Sequence, residues 1–507
     1  MSEYFRKYKY HTNIQFDLLG FFRLLIYGRI LNPRSKIATV RQNNDYLDPI
    51  VDDPYEYNVY DTLDFMYDFR ESITRRLNKY ISNKFGRTTN IIYYDVTNFF
   101  FEINEPDPDV EIDNEIHKGI RKNGVSKEER KLPIVQMGLF MDEQGMPISI
   151  EIFPGNTLDH LTMIDACKNT VDTLDLSRFI FVADRGMCAS QNLIHLLDRN
   201  NGYIVSKSIK KCKKSDQEWI LNEDGYVHSG DDFKVKSRNV KYQVVDPADK
   251  TKKRDIVEKQ VVYWSRKFYE RALAENKSFL AVVEKIQQSP QNFRITATQS
   301  KSIRKYLRKD VLNSETGELL ESSLIKPLLD EEKIKKETEL MGYYMIITSE
   351  TDMSDQEVID TYHKLSRIED QFRVMKGTID TRPVFVRNET HISSHLMACM
   401  ISLIIMRIIQ QKIVSFQQKE GNGKKNVNLW EMGLSADRIQ AALNSGFLCG
   451  DNLKIVKRNL KFTFRNTGLM VYLPTPAGGL IGRYNTDSGL YAVYQRRKIV
   501  VFFFDAL

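Results

Sequence analysis

Ile91-Ile92-Tyr93-Tyr94-Asp95-Val96-Thr97 and Phe179-Ile180-Phe181-Val182-Ala183-Asp184-Arg185-Gly186 are the two stretches whose reading decides the fold. Each is a short apolar run, rich in aromatic and β-branched residues, that runs into an acid. That pattern reads as a buried strand with a carboxylate at its end. A desolvated carboxylate is costly unless something neutralises it, so an acid at such a place is poorly chosen for stability. A third acid stands in Ile368-Glu369-Asp370-Gln371-Phe372-Arg373, with Lys376 just beyond, in a strongly helical stretch.

Asp95 and Asp184 are 89 positions apart, and Asp184 and Glu369 are 185 apart, so only a fold can bring them together. Any one of them alone reads first as a surface or turn carboxylate. Three together would repel one another unless a divalent cation lay between them. Oxygen ligands suit a hard cation, and such a site cuts and joins phosphodiesters. The expectation is an enzyme that cuts and joins DNA.

Outward from these runs, strands are expected over 91–102, 134–141 and 146–153, the last two joined by a turn at Asp142-Glu143-Gln144-Gly145. A polar loop, 104–131, separates the first two. A helix over 158–174 follows, capped by Asn156 or Thr157, then a strand at 179–183, a helix at 190–198 and a strand at 203–205. This order predicts a mixed α/β sheet with acids at strand ends. From 206 to 339 the pattern is interrupted by short strand-like runs (218–221 and 260–264) and many charges. It returns at Gly342 to Thr348, followed by one long helix over 355–376. The domains expected are a helical N-terminal DNA-binding region (1–88), a first core segment (89–205), an insertion (206–339), a second core segment with the Glu369 helix (340–416) and a C-terminal region (417–507). The last should hold an amphipathic helix at 436–443 and short strands.

On a single helix over 355–376, Tyr362, Glu369, Arg373 and Lys376 share one face, beside an apolar face of Leu365, Ile368, Phe372 and Met375. An ordinary amphipathic helix has the same spacing. The polar stripe also sets a metal-binding acid beside phosphate-binding cations. Three basic clusters mark the insertion: Lys207, Lys210, Lys211, Lys213 and Lys214; Lys252, Lys253 and Arg254; and Lys301, Arg304, Lys305, Arg308 and Lys309. Any one alone is a solvated charged face, and three in one module favour phosphate tracking. Trp264 is a candidate to stack on an extruded base, with a core tryptophan the plainer reading. Arg29, Arg34 and Lys36 flank a Pro33 turn that reads either as a DNA contact or as a solvated turn.

The chain has 507 residues, room for two to four domains, with a net charge of +7. The mild basic excess fits a nucleic-acid partner without requiring one. Five scattered cysteines, with no CxxC pair, speak against a zinc site or a disulfide framework and for a reducing, intracellular setting. The N-terminus lacks the apolar core of a signal peptide. An apolar helix is expected over 391–415; its most apolar stretch, 396–406, is too short to span a membrane and runs into Arg407, so a buried helix and no membrane partner are expected.

Tyr94-Asp95-Val96-Thr97, Phe153-Pro154-Gly155-Asn156-Thr157, Ala183-Asp184-Arg185-Gly186-Met187, the Glu369 helix and Thr381-Arg382-Pro383-Val384-Phe385 occur in order. Over about residues 29–410 the chain resembles the DDE transposases of bacterial insertion sequences. It is most similar to the branch with a β-rich insertion and a Tyr-x2-Arg-x3-Glu-x6-Lys signature. Tyr362, Glu369 and Lys376 match that signature; the Arg position holds Leu365, and Arg367 or Arg373 is the substitute charge.

The resemblance implies an RNase H-like (retroviral integrase-like) core and two Mg²⁺ ions, replaceable by Mn²⁺, held by Asp95, Asp184 and Glu369. It implies cleavage at transposon ends followed by strand transfer, through a hairpin. On the resemblance, Tyr362, Lys376 and Arg367 or Arg373 contact DNA; Lys210, Lys211 and Trp264 are the insertion's own candidates for further DNA contacts. The implied partners are double-stranded DNA (terminal inverted repeats and target) and a second subunit in a synaptic homodimer, in the bacterial cytoplasm at the nucleoid. The N-terminal segment reads as short for this branch, with part of its end-binding module either missing or reduced. An RNase H-fold nuclease without strand transfer and an inactive DNA-binding copy are the alternatives.

Overall fold

The N-terminal region is helical because its apolar residues recur at helical spacing and find one another. Its elements are α1 (Ser2–His11), α2 (Leu18–Leu31), α3 (Lys36–Arg41), α4 (Asn58–Asp68) and α5 (Arg70–Phe85). Asp17 caps α2, its carboxylate accepting from the Gly20 amide at 3.0 Å. Gly86, at φ 64°, ends α5 in the left-handed conformation that glycine adopts without strain. The computed structural model describes residues 2–12, 14–46, 49–112, 115–125, 131–246, 249, 251–288, 331–382, 384–420 and 434–444. It also describes strand segments at 454–457, 460–465, 468–472, 482–483, 490–495 and 498–503.

The chain divides into two units. One comprises Met1–Val182, Arg199–Asn201 and Lys364–Leu507; the other comprises Ala183–Asp198 and Gly202–His363. Both are mixed α/β. In the first, the strands are β1 (Ile91–Phe100), a small hairpin of β2 (Val110–Ile112) and β3 (Glu115–His117), β4 (Ile134–Asp142) and β5 (Pro147–Pro154), followed by helix α6 (Asp159–Leu174) and strand β6 (Ile180–Ala183). Their order is β5-β4-β1-β6. β1 runs antiparallel to β4, with Asp95 opposite Leu139, and parallel to β6, with Tyr93 opposite Val182. β4 is buried along its whole length, as expected of a central strand.

The β4–β5 turn forms where the sequence places it, with Gly145 at φ 85° and its amide on the Asp142 carbonyl at 3.0 Å. Asp142 is itself fully buried. Its carboxylate accepts from the Gln144 and Met146 amides and from Arg87 Nε at 2.7 Å. Burial pushes the Asp142 carboxyl up and the Arg87 guanidinium down, so desolvation outweighs their mutual attraction. Helix α6 begins at Asp159 after Leu158, without the Asn156 or Thr157 side-chain cap expected.

The second unit contains α7 (Ser190–Asp198), β7 (Gly202–Ser206), α8 (Lys214–Leu221), β8 (Val227–Ser229), β9 (Phe233–Val245), β10 (Lys253–Ser265), α9 (Arg266–Gln288), α10 (Glu331–Glu339), β11 (Tyr343–Thr348) and α11 (Asp355–His363). The strand order is β7-β11-β10-β9-β8. β10 pairs with β11, Gln260 opposite Ile347, so the strands of 206–339 extend the sheet that β7 and β11 begin. Two expectations are corrected here. Residues 218–221 end helix α8, where Glu218, Trp219, Ile220 and Leu221 follow Lys214 and an Asp216 that favours a helix N-terminus. And 206–339 is not mostly β: among its described residues helix exceeds strand, because α9 is built from Ala, Glu, Lys and Leu, strong helix formers.

The first unit resumes with α12 (Ser366–Lys376), α13 (Glu389–Glu420) and α14 (Ala436–Asn444), and its tail pairs Lys454–Lys457 with Leu460–Arg465 and Leu490–Gln495 with Lys498–Phe503. The single helix expected over 355–376 is therefore two. Around Lys364 and Leu365 the chain tightens: Arg367 donates to the Lys364 carbonyl and Ile368 to that of Leu365, both three residues back. Helix α13 covers the helix expected over 391–415 and runs a few residues beyond it at each end, and its apolar part is longer than 396–406. Glu389–Val414 is long and apolar enough to cross a membrane, and 89% of its most apolar 18 residues are buried in the protein. Arg407 does not end it, because its guanidinium is buried against Gln371, Gln410 and Asp370.

The basic turn at Pro33 is corrected as well. Arg29 and Lys36 are buried. Arg29 donates to the carbonyls of Asp380 and Arg34, and Lys36 Nζ lies 2.8 Å from His395 Nδ1. Arg29 ties α2 to two loop carbonyls and Lys36 ties α3 to the helix that carries His395, so neither faces a phosphate.

Candidate active site

Asp95 sits in the middle of β1 rather than at its end. Tyr93, Tyr94, Val96 and Phe99 around it are fully buried while Asp95 is only half-buried. Its Oδ1 accepts from the Val96 amide at 2.7 Å. Tyr94 points into the core, its hydroxyl donating to Thr162 on α6 at 2.8 Å, and burial pushes its phenol well up. The pleat puts Tyr94 and Asp95 on opposite faces of β1, with Tyr93 and Phe99 on the face of the acid.

Asp184 follows β6 and is exposed. Its backbone is extended, and its carbonyl accepts from the Met187 amide at 2.9 Å in the tight turn that leads to α7. Two hydroxyls converge on one carboxylate oxygen: Ser206, at the end of β7, donates to Oδ1 at 3.0 Å, and Tyr362, on α11, donates to it at 3.2 Å. Tyr362 is 7% exposed, and its oxygen lies 3.3 Å from that of Tyr344 on β11. Burial and Tyr344 push the Tyr362 phenol far up, so it remains protonated and able to donate.

Glu369 lies in the first turn of α12 and is exposed. The opposite face of the helix, Ile368, Phe372 and Met375, is buried, and α12 packs on β1 and α13. Polar contacts fix it further. Gln371 Nε2 donates to the Gly145 carbonyl at 2.8 Å, and Arg407 donates to Gln371 and Asp370 at 2.8 and 2.7 Å. Lys376 Nζ lies 5.7 Å from the centre of the Phe99 ring on β1, a cation–π distance. The elements bearing Asp95 and Glu369 thus pack together in one unit, while Asp184 belongs to the other.

The helix break alters the expected polar stripe. Glu369, Arg373 and Lys376 share a face of α12, but Tyr362 stands on α11 and spends its hydroxyl on Asp184. Arg373 is exposed and pairs with Asp370 at 3.0 Å. Arg367 donates to the Glu143 carbonyl at 2.9 Å. Trp264 is half-buried on β10, its indole donating to the Met341 carbonyl at 3.2 Å beside the Tyr269 ring.

Of the basic clusters, Lys210 is exposed and pairs with Glu337 at 2.8 Å, and Lys207 reaches the buried Glu258 at 3.3 Å. Lys211 and Lys213 are exposed and make no ion pair among the described residues. Arg254 is held by Asp198 and Lys252 by Asp249, so the second cluster is largely neutralised. The cluster from Lys301 to Lys309 lies outside the described residues, as does Pro383. Reading the sequence missed Ser206 and Tyr344, which stand at ordinary strand positions. It also missed Gln371 and Arg407, polar residues on otherwise apolar faces. That misplacement is the one signal in the sequence that points to the last two.

Among the described residues, no group of three or more His, Cys, Asp or Glu side chains is gathered closely enough to hold a metal ion. The donors themselves are carboxylate oxygens with access to water, the chemistry a hard divalent cation prefers.

Comparison with known proteins adds the family. The model of the transposase DDE domain matches residues 108–405, more than half of the chain, a span that includes Asp184 and Glu369 and begins after Asp95. No curated protein matches the sequence. Among solved structures, the chain is similar to a piggyBac transposase in a synaptic complex with hairpin DNA, at 8% identity and a TM-score of 0.35, covering 80% of this chain and 67% of that one. It is also similar to Mos1 transposase in a paired-end complex with the left transposon end, at 16% identity and a TM-score of 0.16, covering 38% and 58%. At such scores the likenesses add nothing to the family match, and on that match the chain belongs to the DDE transposase family.

Proposed function

We propose that this transposase moves a bacterial insertion sequence by cut-and-paste, cleaving DNA at the element's terminal inverted repeats and joining the freed 3′ ends to a target. The observation that carries this reading is the transposase DDE domain spanning 108–405. The order β5-β4-β1-β6, two antiparallel pairings followed by a parallel one, supports an RNase H-like core. Asp95, Asp184 and Glu369 are the catalytic acids in this proposal and would hold two Mg²⁺ ions, or Mn²⁺ in their place. Bound there, the metal would neutralise charge on the reacting phosphate and polarise it. Exposed Arg373, Lys211 and Lys213, with Lys376 and Lys210, would track the phosphates flanking the cut. Trp264 would stack on a base extruded at a hairpin.

The branch with the Tyr-Arg-Glu-Lys signature remains the proposed affiliation, with Leu365 at the Arg position. The assembly proposed is a homodimer holding two DNA ends, working on the nucleoid in the cytoplasm. Strand cleavage with Mg²⁺ on DNA carrying the flanking repeats, wild type against Glu369→Gln, tests the reading. Cleavage and joining should vanish in the variant while DNA binding persists. Cleavage without joining would make the protein a nuclease, and binding without cleavage in both would make it an inactive copy.

A further inference from the structure

The Asp184 carboxylate is held by side chains from two other elements. Ser206 ends β7, and β7 pairs with β11, so the serine is built into a sheet and is 2% exposed. Its hydroxyl at 3.0 Å and that of Tyr362 at 3.2 Å both reach Oδ1. An sp² carboxylate oxygen offers two lone pairs, and these two donors take both. Oδ2 accepts no hydrogen bond among the described residues. The backbone of Asp184 is meanwhile set by the turn its carbonyl closes with Met187. The side chain is thus fixed at its root by the turn and at one oxygen by a buried serine.

We infer that Ser206 is a positioning residue for the proposed metal-binding carboxylate: it pins Oδ1 of Asp184 and reserves Oδ2 for the divalent cation. This rests on the reading of Asp184 as one of the catalytic acids. The physical reason is preorganisation. A carboxylate free to turn about its last torsion loses that freedom on taking a cation, whereas one already oriented does not. Groups that orient a ligating side chain commonly change metal affinity by about 10–100-fold when removed. Tyr362 donates to the same oxygen, but its ring also supports α11 against β11. The serine side chain is a single carbon bearing a hydroxyl that also bonds the Tyr362 hydroxyl, and its removal leaves the ring of Tyr362 in place, so it is the cleaner probe.

The test is Mn²⁺ binding to the full-length protein, followed by electron paramagnetic resonance without DNA, for wild type, Ser206→Ala, Ser206→Thr and Asp184→Asn. Ser206→Ala should weaken Mn²⁺ binding by about ten-fold. Its melting temperature should stay within a few degrees of wild type, and Ser206→Thr, which keeps the hydroxyl, should recover most of the affinity. Mg²⁺ titration of strand cleavage should show the same order, as a raised half-saturating concentration with little change in the rate at saturation. Ser206→Ala binding Mn²⁺ like wild type while Asp184→Asn loses it would overturn the positioning role and leave the acid assignment standing. Asp184→Asn binding like wild type would overturn both. If Ser206→Ala unfolds, Ser206→Thr and Ser206→Cys decide between them: a cysteine that folds and binds like threonine overturns the proposal.

Discussion

Glu151 shows how a single side chain makes the fold depend on pH. It lies on β5, with Asn169 Nδ2 at 3.2 Å, and burial, with Glu71 and Asp165 adding to it against Arg70, pushes its carboxyl up to about 7. The folded pKa exceeds that of the unfolded chain, so its contribution is whole below about pH 4.5 and is lost as pH rises through 7. Glu151→Gln should therefore raise the melting temperature relative to wild type at pH 8 and not at pH 4.5, as differential scanning fluorimetry at the two pH values would show. His395 works in the other direction. Burial beside Lys36 and Arg29 pushes its imidazole well below the usual range, so it folds neutral, and stability falls as pH drops below about 6.5. At this scale the clearest lesson concerns Lys36, which in the sequence looks like a phosphate ligand. Three helical residues cannot tell which way a lysine turns, and here it turns inward to His395.

Among the elements, the β4–β5 hairpin and helix α12 are held by buried polar side chains whose removal has calculable consequences. Arg87 ties α5 to the turn through Asp142, Asn78 and the Pro147 carbonyl. Arg87→Met leaves a buried carboxylate alone and should cost about 3–5 kcal/mol. Arg87→Met with Asp142→Leu should recover part of that, which urea unfolding would measure. Arg407 plays the same part for α12. Arg407→Leu frees Gln371 and Asp370 and should cost about 1–3 kcal/mol. Because it loosens the helix that bears Glu369, the variant should also lose cleavage at least ten-fold while still binding DNA, a difference a gel assay resolves. The break between α11 and α12 belongs here too. It puts Tyr362 with Asp184 and leaves Glu369, Arg373 and Lys376 together, a division that a uniform helical spacing hides.

For the molecule as a whole, the mild positive charge and the exposed cations predict binding to DNA that weakens steeply with salt. Each phosphate contact contributes about 0.9 to the slope of log affinity against log salt on duplex DNA. Lys211→Ala with Lys213→Ala should lower that slope by about 1–2 without altering cleavage of saturated complexes, as filter binding over a salt series would show. The proposed synaptic homodimer predicts a light-scattering mass of two protein chains with two DNA ends in the active complex. A mass of one chain per active end complex would sink that assembly.

What the sequence determined by itself was local and periodic. β1, β4, β5, β6, α7 and β7 stand within a few residues of where alternation and helical spacing put them, because strands and helices are written in the order of neighbouring side chains. Two of the three proposed acids, Asp95 and Asp184, stand out for the same reason, as carboxylates next to apolar runs that have no use for them. Tertiary structure alone decided which polar groups face inward, which hydroxyls meet Asp184 and where the helix before Glu369 breaks. Ser206 and Asp184 are 22 positions apart and Tyr362 and Asp184 are 178 apart. Hydrogen bonds at such separations depend on strand pairing and helix packing, and no local spacing records them.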